Sequence, residues 1–155
     1  MEAKLDHIDI EILCRLRRNS KAQIKNMANE LDVHQNTLLK RVKRLEGLGI
    51  IRSHRIDIDF ERLGYETQAI VTIKIDESPE NGDLMSEIKK IPCVEALYEI
   101  TGESDAQIMV RARDKDELLR VIKAVRHMRG VVGTISNHIL TTHKHPAEFN
   151  PLEKE

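Results

Sequence analysis

Apolar residues in the first third of the chain recur at helical spacing in three short blocks. Leu5, Ile8, Ile12, Leu13 and Leu16 form one stripe, Ile24, Met27, Ala28 and Leu31 a second, and Leu38, Val42 and Leu45 a third. Asp6 is a good N-cap for the first helix, and Leu5 and Ile10 flank it at hydrophobic-staple positions. Asn19-Ser20 ends that helix, and Ser20 with Gln23 matches a capping box for the second. Asp32 occupies the turn into the third helix, where Gly would be easiest, and Asp tolerates a left-handed conformation better than most residues. His34 stands at the third N-cap and ranks low there; Val33 and Leu38 flank it as a second staple. Gly47 and Gly49 close the third helix. Ile50-Ile51 and residues 54–57 then predict a short strand pair with Arg52 and Arg55 on its hairpin. Helices this short are not stable alone, so the three must share one core.

After a mixed stretch at 57–66 the period changes from helical to two. Ala69, Val71, Ile73 and Ile75 alternate with Gln68, Ile70, Thr72 and Lys74, which predicts a strand. Ser78-Pro79 starts a helix running to about Lys90 with Leu84, Ile88 and Ile91 inward, and Pro92 breaks it. Val94, Ala96, Tyr98 and Ile100 alternate along a second strand. A turn follows at Gly102-Glu103-Ser104-Asp105, and Ala106, Ile108, Val110 and Ala112 line a third. A helix over 115–128, buried through Leu118, Leu119, Ile122 and Val125, ends at Gly130, and residues 131–142 give the last strand. The order βαββαβ predicts an α+β chain: an N-terminal winged helix-turn-helix joined to a C-terminal ferredoxin-like domain. The expected boundaries are 1–56 for the DNA-binding domain, 57–66 for a linker, 67–145 for a sensing and oligomerisation domain, and 146–155 for a tail. The second sheet face carries Ile70, Leu97, Met109, Ile135 and Ile139, and covering it with a second copy is the simplest way to keep it from water.

Charge sharpens this division. Residues 1–56 carry 12 Lys/Arg against 7 Asp/Glu, net +5, and residues 57–155 carry 13 against 19, net −6. A basic half beside an acidic half points to a nucleic-acid-facing domain and a partner with another task. Aromatics are only 3% of the chain and Trp is absent, so the core must be aliphatic. Cys14 and Cys93 lie in separate apolar contexts and read as reduced core residues, neither disulfide-bonded nor ligating. No apolar run reaches a membrane span and the opening residues do not resemble a signal peptide, so a cytoplasmic protein with no membrane partner is expected.

The third helix holds the candidate chemistry. With Leu38 at zero on a wheel of about 100° per residue, Asn36, Lys40 and Lys43 fall near the opposite pole, with Gln35, Leu39 and Arg44 beside it. Asn and Gln suit adenine edges and Lys suits guanine, so Gln35, Asn36, Lys40 and Lys43 are expected at bases, with Thr37 in the same interface. Arg41, Arg44, Arg52 and Arg55 are expected at phosphates. A merely solvated charged face is the alternative for each. Gly102 permits unusual backbone angles, and Asp105 either serves a binding site or caps local amides in a plain hairpin. His138, His143 and His145 span strand and tail without cysteine partners, so no metal is expected. There is no P-loop, GxGxxG, HExxH or Ser-His-Asp order, and neither a cofactor nor enzymatic activity is expected.

Three motifs together resemble the Lrp/AsnC (feast/famine) transcription regulators over nearly the whole chain. Leu5-Asp6-His7-Ile8-Asp9 is similar to that family's LDxxD opening. Arg41-Val42-Lys43-Arg44-Leu45-Glu46 with Gly49-Ile50-Ile51 is similar to its exit from helix 3 into the wing, and Gly102-Glu103-Ser104-Asp105 resembles the sensor domain's G-x-x-D turn. The resemblance implies a dimer joined through the βαββαβ domains, often assembled further into octamers, on pseudo-palindromic double-stranded DNA. It also implies a small effector, commonly an amino acid, near Gly102, Glu103, Ser104 and Asp105 at a subunit interface. The chain departs from the family at Ser104, where an aromatic is usual, at Ala106, where a larger residue is usual, and at His34, where Ser is common. The first two leave the effector's identity open, and the third the approach of helix 3 to phosphate. Two alternatives stand beside the regulator: an architectural protein that coats DNA without sequence preference, and a sirohaem decarboxylase-like enzyme of similar fold. The latter would not need the cations of helix 3.

Overall fold

A computed structural model describes residues 4–76, 83–145 and 148–152. The chain folds as two compact units, one built from residues up to Ile58 together with the chain from Lys144 onward, the other from Asp59 to His143.

The first unit holds α1 (His7–Arg18), α2 (Ile24–Glu30) and α3 (Gln35–Gly47). Asp6 caps α1 by a reciprocal box: its carboxylate accepts the Asp9 amide at 2.9 Å, and the Asp9 carboxylate accepts the Asp6 amide at 3.3 Å. The box expected at Ser20 and Gln23 does not form. Asn19 Oδ1 takes the Lys21 amide at 3.0 Å and the Asn19 carbonyl takes that of Ala22, so Ser20 lies in a turn and α2 begins at Ile24 after an uncapped Gln23. The α2–α3 turn follows expectation. Asp32 has φ +51°, with the Val33 amide on the Ala28 carbonyl and the Asp32 amide on that of Asn29, the two bonds of a Schellman turn. Gly49, at φ +69°, ends α3 in the same way, with the Ile50 amide on the Leu45 carbonyl. Ile12, Leu38 and Leu45 are fully buried, and Met27, Ala28 and Val42 complete the core between the helices.

The strand pair expected after α3 is absent. Residues 50–58 run without a ladder, and all four strands of the described residues belong to the second unit. The first amides, of Ile50 and Ile51, are spent on the Leu45 carbonyl, and residues 52–58 are exposed, so no apolar face drives pairing.

In the second unit β1 (Thr67–Ile75), β2 (Val94–Glu99), β3 (Ala106–Ala112) and β4 (Val131–His138) form one antiparallel sheet of order β2-β3-β1-β4. α4 (Leu84–Lys89) and α5 (Lys115–Arg126) pack on one face of it, through Leu84, Ile88, Leu118, Val121 and Val125 against Ala69, Val71, Ile73, Ile108 and Val110. This is the expected ferredoxin-like arrangement. α4 is capped by Asp83, whose carboxylate accepts the Ser86 amide; the expected start at Ser78-Pro79 lies outside the described residues.

Several side chains fall differently from expectation. Leu119 of α5 is exposed and Val121 takes its place, because the inward stripe advances by three and four residues from Leu118. A bulge between Val94 and Ala96 sets Val94 against Val110 but Leu97 against Ile108. One extra residue reverses the alternation, so Leu97 joins the core while Ala96 and Tyr98 move to the other face. The end of the expected linker is structured: a 3₁₀ turn over Glu61–Leu63 sets Phe60 edge-on to Tyr65 at 6.2 Å. The Arg111 guanidinium sits 5.5 Å from the Phe60 ring centre and that of Arg113 5.1 Å from Tyr65, which fastens this turn to β3.

Candidate DNA-reading helix and effector turn

On α3 the wheel drawn from sequence is the one observed. Leu38, Val42 and Leu45 are buried, and Gln35, Asn36, Thr37, Lys40 and Lys43 are exposed. Lys40 and Lys43 make no ion pair among the described residues. Such a helix presents amide, hydroxyl and ammonium donors on one side while its other side is fixed in a core. Its first turn is held by an acceptor that preference rules would not have chosen. His34 Nδ1 accepts the Asn36 amide at 3.2 Å, so the departure from Ser leaves the helix capped.

Arg41 and Arg44 stand elsewhere. Asp9 is 1% exposed and receives Arg41 Nη1 at 2.8 Å and Arg44 Nη1 at 3.0 Å. The same Arg41 nitrogen also donates to both oxygens of Asp6, at 2.8 and 2.7 Å, and Arg44 Nη2 donates to the Lys4 carbonyl at 3.1 Å. The box with the Asp9 amide, and then Arg41, hold the Asp6 carboxyl below its ordinary range, while Asp9 and then Asp6 raise the Arg41 guanidinium. The sequence marked Asp6 and Asp9 as part of a motif without giving them a partner. The signal that could have found one was the need of any buried carboxylate for a cation, with two arginines on the helix that crosses it.

Arg52 and Arg55 are exposed on the segment after α3, where Arg55 Nε donates to Ser53 Oγ at 3.0 Å. His54 Nε2 lies 3.1 Å from Glu46 Oε1, which ties this segment back to α3. Arg52 and Arg55 line a cavity of about 690 Å³ together with Arg17, Arg18 and Lys21, over a floor that includes Leu13, Leu16 and Ile50. Cations from the end of α1, the turn after it and the segment after α3 thus meet on one surface, and the three from α1 and its following turn were not singled out in advance.

In the second unit Gly102 adopts φ +123°, and Asp105 is bound into the sheet through both main chain and side chain. Its amide donates to the Ile73 carbonyl at 3.0 Å and its carbonyl accepts the Ile100 amide at 2.9 Å. Its carboxylate accepts the Ile75 amide at 2.7 Å and Lys74 Nζ at 3.2 Å, the first of which chiefly holds its pKa below the ordinary carboxylate value. Asp105 thus caps an amide of β1, 30 residues away, where a local amide of the hairpin was weighed. Gly102 and Glu103 are exposed, and Ser104 is half-buried beside them. No group of three or more His, Cys, Asp or Glu among the described residues is disposed to hold a metal, and no described helix is long and apolar enough to cross a membrane.

Two family models match. Residues 5–52 match a winged helix-turn-helix DNA-binding domain, and residues 68–149 match an Lrp/AsnC ligand-binding domain. The chain is 34% identical over 140 residues to the HTH-type transcriptional regulator LysM of Saccharolobus solfataricus, covering 90% of this chain and 96% of that one. It is 28% identical to the HTH-type transcriptional regulator FL11 of Pyrococcus horikoshii, over 96% of this chain and 98% of the relative. Among solved structures it resembles a Neisseria meningitidis transcriptional regulator in complex with L-Met, with TM-score 0.87 and 25% identity over 92% of this chain and 94% of that one. Escherichia coli AsnC has the same fold, with TM-score 0.86 over 92% of this chain and 97% of that one at 24% identity.

Proposed function

The chain belongs to the Lrp/AsnC family of transcriptional regulators, and from that premise we propose a sequence-specific DNA-binding regulator tuned by a small effector, an amino acid. The carrying observation is the division of α3: Leu38 and Leu45 are fully buried, while Gln35, Asn36, Thr37, Lys40 and Lys43 stand in solvent on a capped, rigid helix. In this reading those five side chains enter the major groove of double-stranded DNA, and Arg52 and Arg55 hold phosphates beside it.

The effector is assigned to the turn at Gly102, Glu103, Ser104 and Asp105. Support comes from the matched ligand-binding domain and from the L-Met named in the Neisseria meningitidis complex. Asp105 already serves the Ile75 amide, so its part in holding an effector is to anchor the turn and offer what remains of its carboxylate. The protein works as a homo-oligomer. Its sheet face opposite the helices carries Ile70, Met109 and Ile135, the last 65% exposed, and a second copy laid on that face removes them from water. The chemistry is binding with no catalytic step, in the cytoplasm, and coupling arises because the effector favours one assembly over another.

The test is selection of bound genomic fragments by the purified protein, with and without a panel of amino acids. The expected result is a short pseudo-palindromic site whose occupancy shifts with one amino acid by about fivefold or more. Equal binding to all fragments at one fixed salt concentration would identify an architectural protein instead.

A further inference from the structure

Two of the four cations on α3 are engaged by the carboxylates at the start of α1, buried Asp9 and half-exposed Asp6. We propose that Asp9 is a positioning residue for DNA reading: with Asp6 it holds Arg41 and Arg44 in an ion-pair cluster against α1. Lys40 and Lys43 are thereby left as the only cations of α3 that meet the duplex. The inference rests on the DNA-binding reading given above and refines which charges of α3 take part.

The observations are geometric. Asp9 is 1% exposed and each of its oxygens receives a different arginine, Arg41 on Oδ1 and Arg44 on Oδ2. Arg41 is shared with Asp6 at 2.7 Å, and Arg44 gives its second terminal nitrogen to the Lys4 carbonyl. Two guanidinia on one buried carboxylate fix α3 against α1 in both rotation and translation, since Arg41 and Arg44 are three residues apart and so lie on one side of the helix. That clamp reinforces the rotation that the buried stripe of Leu38, Val42 and Leu45 already sets. Were the cluster opened, Arg44 would be released; it is already half-exposed, its side chain retaining 47% of its accessible surface. A freed arginine on this helix would bind phosphate anywhere along a duplex, adding affinity without sequence information. The carboxylate therefore serves selectivity through what it withholds.

The experiment uses the full chain as wild type, Asp9→Asn and Arg44→Gln. Binding to the selected operator and to a random duplex of equal length is measured between about 50 and 200 mM salt. Arg44→Gln is expected to leave the dependence of log K on log salt unchanged on both duplexes. Asp9→Asn is expected to cut the operator-to-random affinity ratio by about tenfold and to steepen the salt dependence on random duplex by roughly one phosphate contact, a slope change of about 0.9. A loss of that same slope in Arg44→Gln would make Arg44 a phosphate contact and overturn the proposal. So would an Asp9→Asn protein that loses affinity for both duplexes in proportion at unchanged slope, the behaviour of a merely loosened fold. If circular dichroism shows Asp9→Asn unfolded, the Arg44→Gln slope decides alone. A wild type that binds no duplex would instead defeat the reading of the chain as a DNA-binding regulator, and this refinement with it.

Discussion

At the start of α3 the acceptor for the Asn36 amide is an imidazole nitrogen, an uncommon way to satisfy one of the open donors of a helix. His34→Ala removes it with no other listener for that amide but water, and is expected to lower stability by about 1 kcal/mol in urea unfolding. His34→Ser should restore the loss, because a hydroxyl makes the same bond. Asp105 makes a different kind of commitment. The Ile75 amide stabilises its charged form, so its folded pKa lies below the unfolded one. That contribution is fully present above about pH 4, and it disappears as pH falls through the lower folded value. The stability gap between wild type and Asp105→Asn is therefore expected to narrow steadily below pH 4 in acid titrations followed by circular dichroism. A gap that stayed constant with pH would mean that the carboxylate's charge is idle at this turn.

Among the elements, α3 and β2 show how far periodicity carries. The α3 stripe is legible because three apolar residues at helical spacing admit only one inward face, and tertiary packing used that face unchanged. Leu45→Ala, at a site with no exposed surface, is expected to destabilise the N-terminal unit by about 2–5 kcal/mol and to abolish DNA binding. On β2 the same reasoning failed, since alternation cannot register an inserted residue until a partner strand is present to be mispaired. The bulge makes a sharp expectation: Leu97→Asp should unfold the sensor unit, whereas Tyr98→Asp, on the exposed side, should leave its thermal midpoint within a few degrees. Near-equal effects of the two substitutions would place the bulge elsewhere. The missing hairpin after α3 has a related cause, for isoleucines beside arginines describe a strand only where a neighbour completes its hydrogen bonds.

For the whole molecule, the proposed dimer makes a test of the sheet face opposite the helices. Phe60 already covers Arg111 on the inner strand β3, while Ile135 on the edge strand β4 stands largely in water. Ile135→Asp is expected to shift sedimentation from dimer toward monomer without lowering the unfolding midpoint of the sensor unit, because no core contact is lost. A dimer that survives this change would be joined through another surface.

Sequence by itself determined the order of the elements, the helical and alternating faces, the basic and acidic halves, and the outward pole of α3. These are properties of spacing and composition, carried by each segment without its neighbours. Tertiary structure decided the partners: that Asp9 holds Arg41 and Arg44, that Asp105 caps β1, that Leu97 turns inward, and that Phe60 and Tyr65 stack under two arginines. Each of these joins residues at least 30 apart or depends on strand register, and a buried charge or a shifted register acquires its meaning only when the second chain segment arrives.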